Sequence, residues 1–149
     1  VLHHAQNLPM MLAEINRMLV PGGLYMAARE HVVDDEVSLN AFLSEHPIHT
    51  LTGGESAFTL DEYLRAMRRT GLSLRQMWGP WDSAINTYPM AESDIRANIR
   101  NFAPHKLGRL WALLTGLPAW RRLRLRVMSA EDRRPGRLYS FLTELRHDA

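Results

Sequence analysis

An α/β fold is the class that this sequence predicts, and three observations support it. Amphipathic stretches with helical spacing alternate with short apolar stretches, in the order helix, strand, helix, strand, helices, strand. The first strand-like stretch, residues 24–28, is continuously apolar, which is typical of a strand covered on both faces. With 149 residues, 46% of them hydrophobic, the chain can bury about 70% of its unfolded surface, so it forms one domain or part of one.

The first predicted helix has clear start and stop signals. Asn7 is a suitable N-cap, and Pro9 falls in the first turn, where its missing N–H costs nothing. The helix ends at Pro21-Gly22-Gly23, because proline cannot continue it and glycine accepts the positive φ of an exit turn. Its apolar stripe consists of Leu8, Met11, Leu12, Ile15 and Leu19.

Capping residues predict the next two helices. Asp34 or Asp35 can cap a short helix that continues to about Glu45. Thr59 with Glu62 three residues later fits the capping box, so another helix is predicted to start there.

The rest of the chain is predicted from its breaks and apolar runs. His46 to Glu55 has no periodicity and is predicted to be a loop. Strands are predicted at Leu72 to Trp78 and at Arg137 to Leu145. Residues 92–128 are predicted to be helical in two or three pieces, with breaks at prolines and glycine.

Composition excludes several kinds of protein. Without cysteine, the chain has no disulfide framework, no cysteine-ligated zinc and no thiol nucleophile. A formal charge of +2 gives no sign of nucleic-acid binding. No uncharged apolar run approaches the roughly 18 residues of a membrane span, so we expect a soluble, cytoplasmic protein that does not insert into membranes.

The N-terminal third carries a resemblance to a known family. Val1-Leu2-His3-His4 is followed by a helix with Glu14 and Arg17, then by the string from Met18 to Met26, which contains Leu-Val-Pro-Gly-Gly. This order resembles the latter half of a class I S-adenosylmethionine-dependent methyltransferase, of the methyltransferase type 11-like kind. The chain opens in the middle of such a fold, so we expect the first half of the domain upstream of Val1.

The resemblance implies an architecture. The chain would hold the end of strand 4, then strands 5 and 6 and an antiparallel strand 7 of a Rossmann-like sheet. Residues 92–128 would be a helical cover inserted between the last two strands. The glycine-rich cofactor turn is not encoded here, since no Gly-x-Gly-x-x-Gly occurs, so we expect this piece alone to be inactive and to bind cofactor only at about millimolar concentration.

The resemblance also implies site residues for the cofactor S-adenosylmethionine and a small-molecule acceptor. Leu2 and His3 would lie near the cofactor, and Arg29 and Glu30 near the acceptor. Ligands of α/β sheets lie beyond the carboxyl ends of strands, which is where these residues fall. Whether oxygen, nitrogen or carbon is methylated does not follow.

Proton transfer and acceptor binding are predicted from side-chain chemistry. A hydroxyl acceptor needs a base, and histidine suits that task at neutral pH, so His4 and His31 are the candidate catalytic residues. The segment from His46 to Glu55 is expected to be a mobile lid over the acceptor, with His46, His49 and Glu55 offering hydrogen bonds.

Three other interpretations compete with these. Three histidines near Glu30 and Glu55 could form a metal site, since imidazole and carboxylate ligands suit several divalent ions. The pair His46-x-x-His49 contains Pro47 and lacks the helical presentation of a zinc motif, so no metal is expected. The arginine-rich amphipathic segment from Pro104 to Met128 could bind an anionic surface, but such segments are more often ordinary surface helices. The whole chain could also be a non-catalytic remnant that serves in oligomerisation or partner binding, and an exposed apolar edge would favour its self-association.

Overall fold

A computed structural model describes residues 2–101 and 117–146 of the chain. These residues belong to two compact units. The first combines the N-terminal segment up to Trp78 with the C-terminal segment from Arg133, and the second is Gly79–Asp132.

The first unit contains a mixed four-stranded sheet. Its strands are β1 (Leu24–Val33), β2 (Phe58–Thr59), β3 (Leu72–Trp78) and β4 (Arg137–Leu145), in the order β2-β1-β4-β3. The short β2 is parallel to β1, whereas β4 lies between β1 and β3 and is antiparallel to both. The predicted α/β class is therefore confirmed, with an antiparallel strand inside the sheet.

Helices of the first unit begin where the capping residues predict. After a 3₁₀ turn at Leu2–His4 come α1 (Leu8–Met18), α2 (Glu36–Glu45), α3 (Pro47–Thr52) and α4 (Leu60–Arg69). The Asn7 side chain accepts a hydrogen bond from the Met10 backbone at 3.0 Å, and Asp35 and Thr59 each form a capping box. Each such cap stabilises its helix by about 1 kcal/mol, which explains why these starts were predictable.

The core of the first unit lies between the sheet and the helices α1 and α4. It holds side chains from both helices, from the turn Leu2–His4 and from β1, β3 and β4. Tyr63 and Phe141 are its largest fully buried side chains, and their ring centroids lie 5.4 Å apart. The buried members are Leu2, Leu8, Leu12, Ile15, Ala27, Val32, Tyr63, Ala66, Met67, Leu72, Tyr139 and Phe141.

Two predictions about local structure were wrong. Strand β1 does not end at Ala28 but continues to Val33, and its apolar first half is not covered on both faces, since Leu24 is 59% and Met26 47% exposed. The predicted loop 46–55 contains the helix α3, because Pro47 is well suited to a first helical turn and Gly53, at φ 64°, to its end. A helix of six residues is too short to show periodicity.

A β-bulge in β1 determines which of its side chains point into the core. Ala27 pairs with Phe141 and Glu30 with Tyr139, so β1 advances three residues while β4 advances two. Phe141 and Tyr139 share a face of the sheet, and the extra residue puts Ala27 and Glu30 on that face as well. Arg29 takes up the irregularity with a φ of 59°, and its backbone N–H donates to Ser140 Oγ at 3.1 Å.

The second unit contains helices α5 (Ala84–Thr87), α6 (Glu92–Asn101) and α7 (Pro118–Glu131). Ile95, Ile99 and Met128 form its apolar centre. The predicted insertion 92–128 falls inside this unit, and its role as an acceptor cover stays a prediction. Residues 102–116, with most of the predicted stripe after Pro104, lie outside the described residues. No helix of the described segments is long and apolar enough to cross a membrane.

Candidate active site

Four histidines and two glutamates gather at the carboxyl end of β1. We call them the histidine cluster, and they come from the turn Leu2–His4, from β1 and from the segment around α3. Ring centroids are 4.1 Å apart for His3 and His4, 4.7 Å for His3 and His31, and 5.7 Å for His31 and His46. The members of the cluster are His3, His4, Glu30, His31, His46 and Glu55.

Glu30 is the most deeply buried charged group of the cluster, with 0% exposure. Its Oε2 accepts hydrogen bonds from the His3 backbone N–H at 3.0 Å and from His3 Nδ1 at 2.7 Å. Burial alone would raise the pKa of Glu30, but the hydrogen bonds from His3 and from the Leu2 backbone outweigh it and lower the pKa to about 2. Glu30 is therefore a carboxylate that fixes the orientation of His3.

The tautomer of His3 follows from this pair. A carboxylate oxygen only accepts hydrogen bonds, so Nδ1 of His3 carries the donated proton. In the neutral ring, the lone pair is then on Nε2.

His31 is held in a similar way by the backbone. Its Nδ1 donates to the carbonyl oxygen of Gly136 at 2.8 Å, which leaves the lone pair of the neutral ring on Nε2. The ring also packs against Phe42 at a centroid distance of 4.7 Å. Burial lowers the pKa of His31, and the hydrogen bond to Gly136 only partly opposes that shift. His31 is therefore an oriented, neutral imidazole at neutral pH.

His4 and Glu55 form a second contact in the cluster. His4 Nδ1 lies 3.1 Å from Glu55 Oε2, and the side chains are 52% and 4% exposed. The contact lacks hydrogen-bond alignment, since Glu55 Oε2 is buried without a hydrogen-bond partner among residues 2–101 and 117–146. An acidic oxygen is thus enclosed beside a half-exposed imidazole.

The other predicted site residues differ in where the structure places them. Leu2 is fully buried in the core, so its side chain is not available to a cofactor in this chain. Arg29 is half-buried at the bulge, next to the buried Glu30. His46 joins the cluster through its contacts with His31 and Phe42, whereas His49 follows on α3 and makes none of these ring contacts.

Sequence reasoning missed three residues that hold the cluster in place. Tyr63 donates its hydroxyl to the backbone oxygen of His31 at 3.2 Å, and burial raises its pKa above the usual value. Phe42 packs against the rings of both His31 and His46. Gly136 has a φ of 68°, and a Cβ there would lie 2.2 Å from Phe42 Cδ2. Helical spacing predicts that Phe42 and Tyr63 face inward, and the Pro135-Gly136 turn signals Gly136, but the sequence does not indicate their contacts with the cluster.

The chain was compared with family models, with curated proteins and with solved structures. No family model and no curated protein matches the sequence. The chain is similar to a provisionally assigned methyltransferase from Bacillus halodurans, with 14% identity over 97% of this chain and 64% of that one, at a TM-score of 0.45. It is also similar to YcgJ from Bacillus subtilis, with 13% identity over 98% of this chain and 61% of that one, at a TM-score of 0.47.

This chain therefore spans less than two thirds of the length of either matched structure.

Proposed function

We propose that this chain is part of an S-adenosylmethionine-dependent methyltransferase that acts on a small-molecule acceptor. The position of the histidine cluster is the observation that carries this proposal. The cluster joins the Leu2–His4 turn to the carboxyl end of β1, and the sequence resemblance puts both beside a methyl donor. In this proposal β1, β3 and β4 are strands 5, 6 and 7 of the methyltransferase sheet.

The antiparallel β4 supports that strand assignment. The resemblance implies an antiparallel seventh strand beside the fifth, and β4 pairs with β1 in that manner from Leu24 to Val32. β3 then occupies the position of the sixth strand at the outer side of β4. The sequence string and the strand order are separate observations, and both support this proposal.

The described residues fit only one wall of a methyl-donor site. His3 is positioned for it by Glu30, while Leu2 offers its backbone alone. Bound S-adenosylmethionine would supply an electrophilic methyl group. The chain has no glycine-rich turn of the nucleotide-binding kind, so we expect its own affinity for this cofactor to be about millimolar.

His31 is the proposed proton acceptor for a hydroxyl on the acceptor molecule. Its Nδ1–H is engaged by Gly136, which directs the free lone pair of Nε2 away from that carbonyl. His4 is the second candidate from the sequence, and it is more exposed and lies against Glu55. Arg29, His46, His49 and Glu55 are proposed to contribute to the acceptor side, and Glu30 to position His3.

Cofactor titration tests the proposal. The 149-residue chain should bind S-adenosylhomocysteine at about millimolar concentration in a calorimetric titration, and the protein extended by its natural upstream coding sequence at least about 100-fold more tightly. Micromolar binding by the 149-residue chain would show that the cofactor site is misplaced. Absence of binding by the extended protein would refute the methyltransferase assignment.

Turnover of the extended protein tests the role of His31. Methyl transfer from labelled donor to a panel of small hydroxyl compounds should fall at least about 100-fold in His31→Ala, with cofactor affinity retained. Arg17→Ala changes an exposed side chain of α1 outside the histidine cluster, so it is the control and should keep most of the activity. Equal activity of His31→Ala and Arg17→Ala would remove His31 from the reaction.

One observation favours the alternative of a non-catalytic oligomerisation module. Leu24 and Met26 expose an apolar strip on one face of β1. Sedimentation velocity distinguishes the two ideas, since an oligomerisation module should form a defined oligomer that Met26→Lys dissolves. A monomer at all concentrations would leave this alternative without support.

A further inference from the structure

We propose that His3, His4 and Glu55 bind a divalent first-row transition-metal ion of the zinc type. One ligand atom from each of these residues lies within 4.8 Å of the other two. Two imidazoles and one carboxylate are a ligand set that several such ions accept. From the sequence such a site was only an alternative, because Glu55 lies about 50 residues after the adjacent His3 and His4 and their convergence is not visible there.

The spacing of the ligand atoms fits an ion after a small adjustment. An ion about 2.1 Å from each ligand would separate neighbouring ligand atoms by about 3.0 to 4.2 Å. His4 Nδ1 and Glu55 Oε2 are already 3.1 Å apart. The three ligand atoms lie within 4.8 Å of one another, which is slightly wider than the spacing around a bound ion. Rotation of the half-exposed His4 ring would shorten the distances from its nitrogen to the other two ligand atoms.

Glu55 supplies an independent reason to place a cation there. Its side chain is 4% exposed, and its Oε2 is buried with no hydrogen-bond partner in the part of the chain that the structure describes. A buried carboxylate oxygen without a hydrogen bond is unfavourable, because it has lost its water and gained no donor. A bound cation would remove that cost.

Glu30 accepts the hydrogen bond that a metal-binding histidine usually donates from its second ring nitrogen. It accepts the Nδ1 proton of His3, so the lone pair of His3 is on Nε2 and the ring is fixed in orientation. Three protein ligands leave at least one coordination position for water or for an oxygen of a bound molecule. This proposal does not depend on methyl transfer, because metal binding is measured without donor or acceptor.

A metal site would give different roles to His4 and His31, the two histidines that were predicted to be catalytic. A nitrogen of His4 that holds an ion cannot also take a proton, so proton transfer would belong to His31. His31 is not among the three residues whose ligand atoms converge.

Titration of the untagged, chelator-treated chain with Co²⁺ tests the proposal. We expect one equivalent to bind at micromolar concentration, with visible absorption from nitrogen and oxygen ligands. Glu55→Gln and His4→Ala should each weaken binding at least about ten-fold, and Glu30→Gln about ten- to 100-fold. His49→Ala removes a nearby histidine outside the three and should bind like the wild type. Binding that Glu55→Gln and His4→Ala leave unchanged would overturn the site.

NMR of the wild-type chain tests the same site without any variant that could fail to fold. Zn²⁺ should shift the side-chain ¹⁵N signals of His3 and His4 in NMR spectra and leave those of His49 unchanged. Signals of His3 and His4 that do not respond to Zn²⁺ would refute the proposal, whatever the variants do.

Discussion

The two halves of β1 contrast in chemistry and in burial. The first half is apolar in sequence, yet Leu24 and Met26 are largely exposed. The second half carries charged and titratable side chains, yet Glu30 is completely buried and Val32 beside it as well. Hydropathy alone predicts the reverse, with the strand ending where the polar residues begin.

The contrast shows that burial here depends on partners and not on average hydropathy. Glu30 has two hydrogen bonds from His3, so its charge is compensated inside the protein. The exposed face of the first half, with Leu24 and Met26, has no such requirement, since isolated apolar side chains on a surface cost little. The following changes test how strongly the two halves differ, beginning with the largest effect.

Removal of the Glu30 carboxylate should have the largest effect on stability. Glu30→Ala leaves the buried His3 without its partner and opens a cavity, so we expect a loss of about 4 kcal/mol in the free energy of unfolding. Met26→Ala is the matched change in the exposed half and should cost less than about 1 kcal/mol. Urea unfolding curves measure both values. Equal losses would contradict the claim that the two halves of β1 contribute unequally to stability.

Acid should destabilise the chain through the same carboxylate. The pKa of Glu30 is about 2 in the folded chain, below its usual value of 4.5. Its contribution to the free energy of unfolding is therefore complete above about pH 4.5 and is lost as the pH falls towards 2. The size of this loss is about 3 kcal/mol. Unfolding in a chelating buffer at several pH values measures it. Glu30→Gln should remove this part of the pH dependence, and an unchanged profile would refute the assignment.

Gly136→Ala should disturb the support of His31 by a smaller amount. The new methyl group would overlap Phe42, and the φ of 68° adds strain, so we expect a loss of about 2 kcal/mol. Gly53→Ala is the control, because Gly53 has a similar φ of 64° and no atom near its missing Cβ. Thermal unfolding should show a smaller loss for Gly53→Ala. The His31 Nδ1 proton signal should change only in Gly136→Ala.

Local signals made much of the fold predictable. The starts of α1, α2 and α4 follow from Asn7, Asp35 and Thr59, because a capping side chain acts within three residues of itself. Strands β3 and β4 were predicted with the bounds observed, since glycine and proline turns precede or follow them. These features depend on neighbours in sequence.

The candidate site was predictable only in part. The sequence indicated that His3, His4, Glu30 and His31 lie at strand ends, and the structure brings them together. The partners themselves could not be predicted, because the Glu30 to His3 bond spans 27 residues and the His31 to Gly136 bond spans 105. Such pairs depend on the complete packing of the unit.

The bulge at Ala28 and Arg29 gives β1 one residue more than β4 between the pairs of Ala27 and Glu30. Because side chains two apart share a face of a strand, deletion of one residue at the bulge would restore regular pairing and still leave the Glu30 carboxylate on the side of His3. Deletion of two residues would turn the carboxylate to the opposite face. Position 29 has a different restriction, since its φ of 59° disfavours β-branched side chains there.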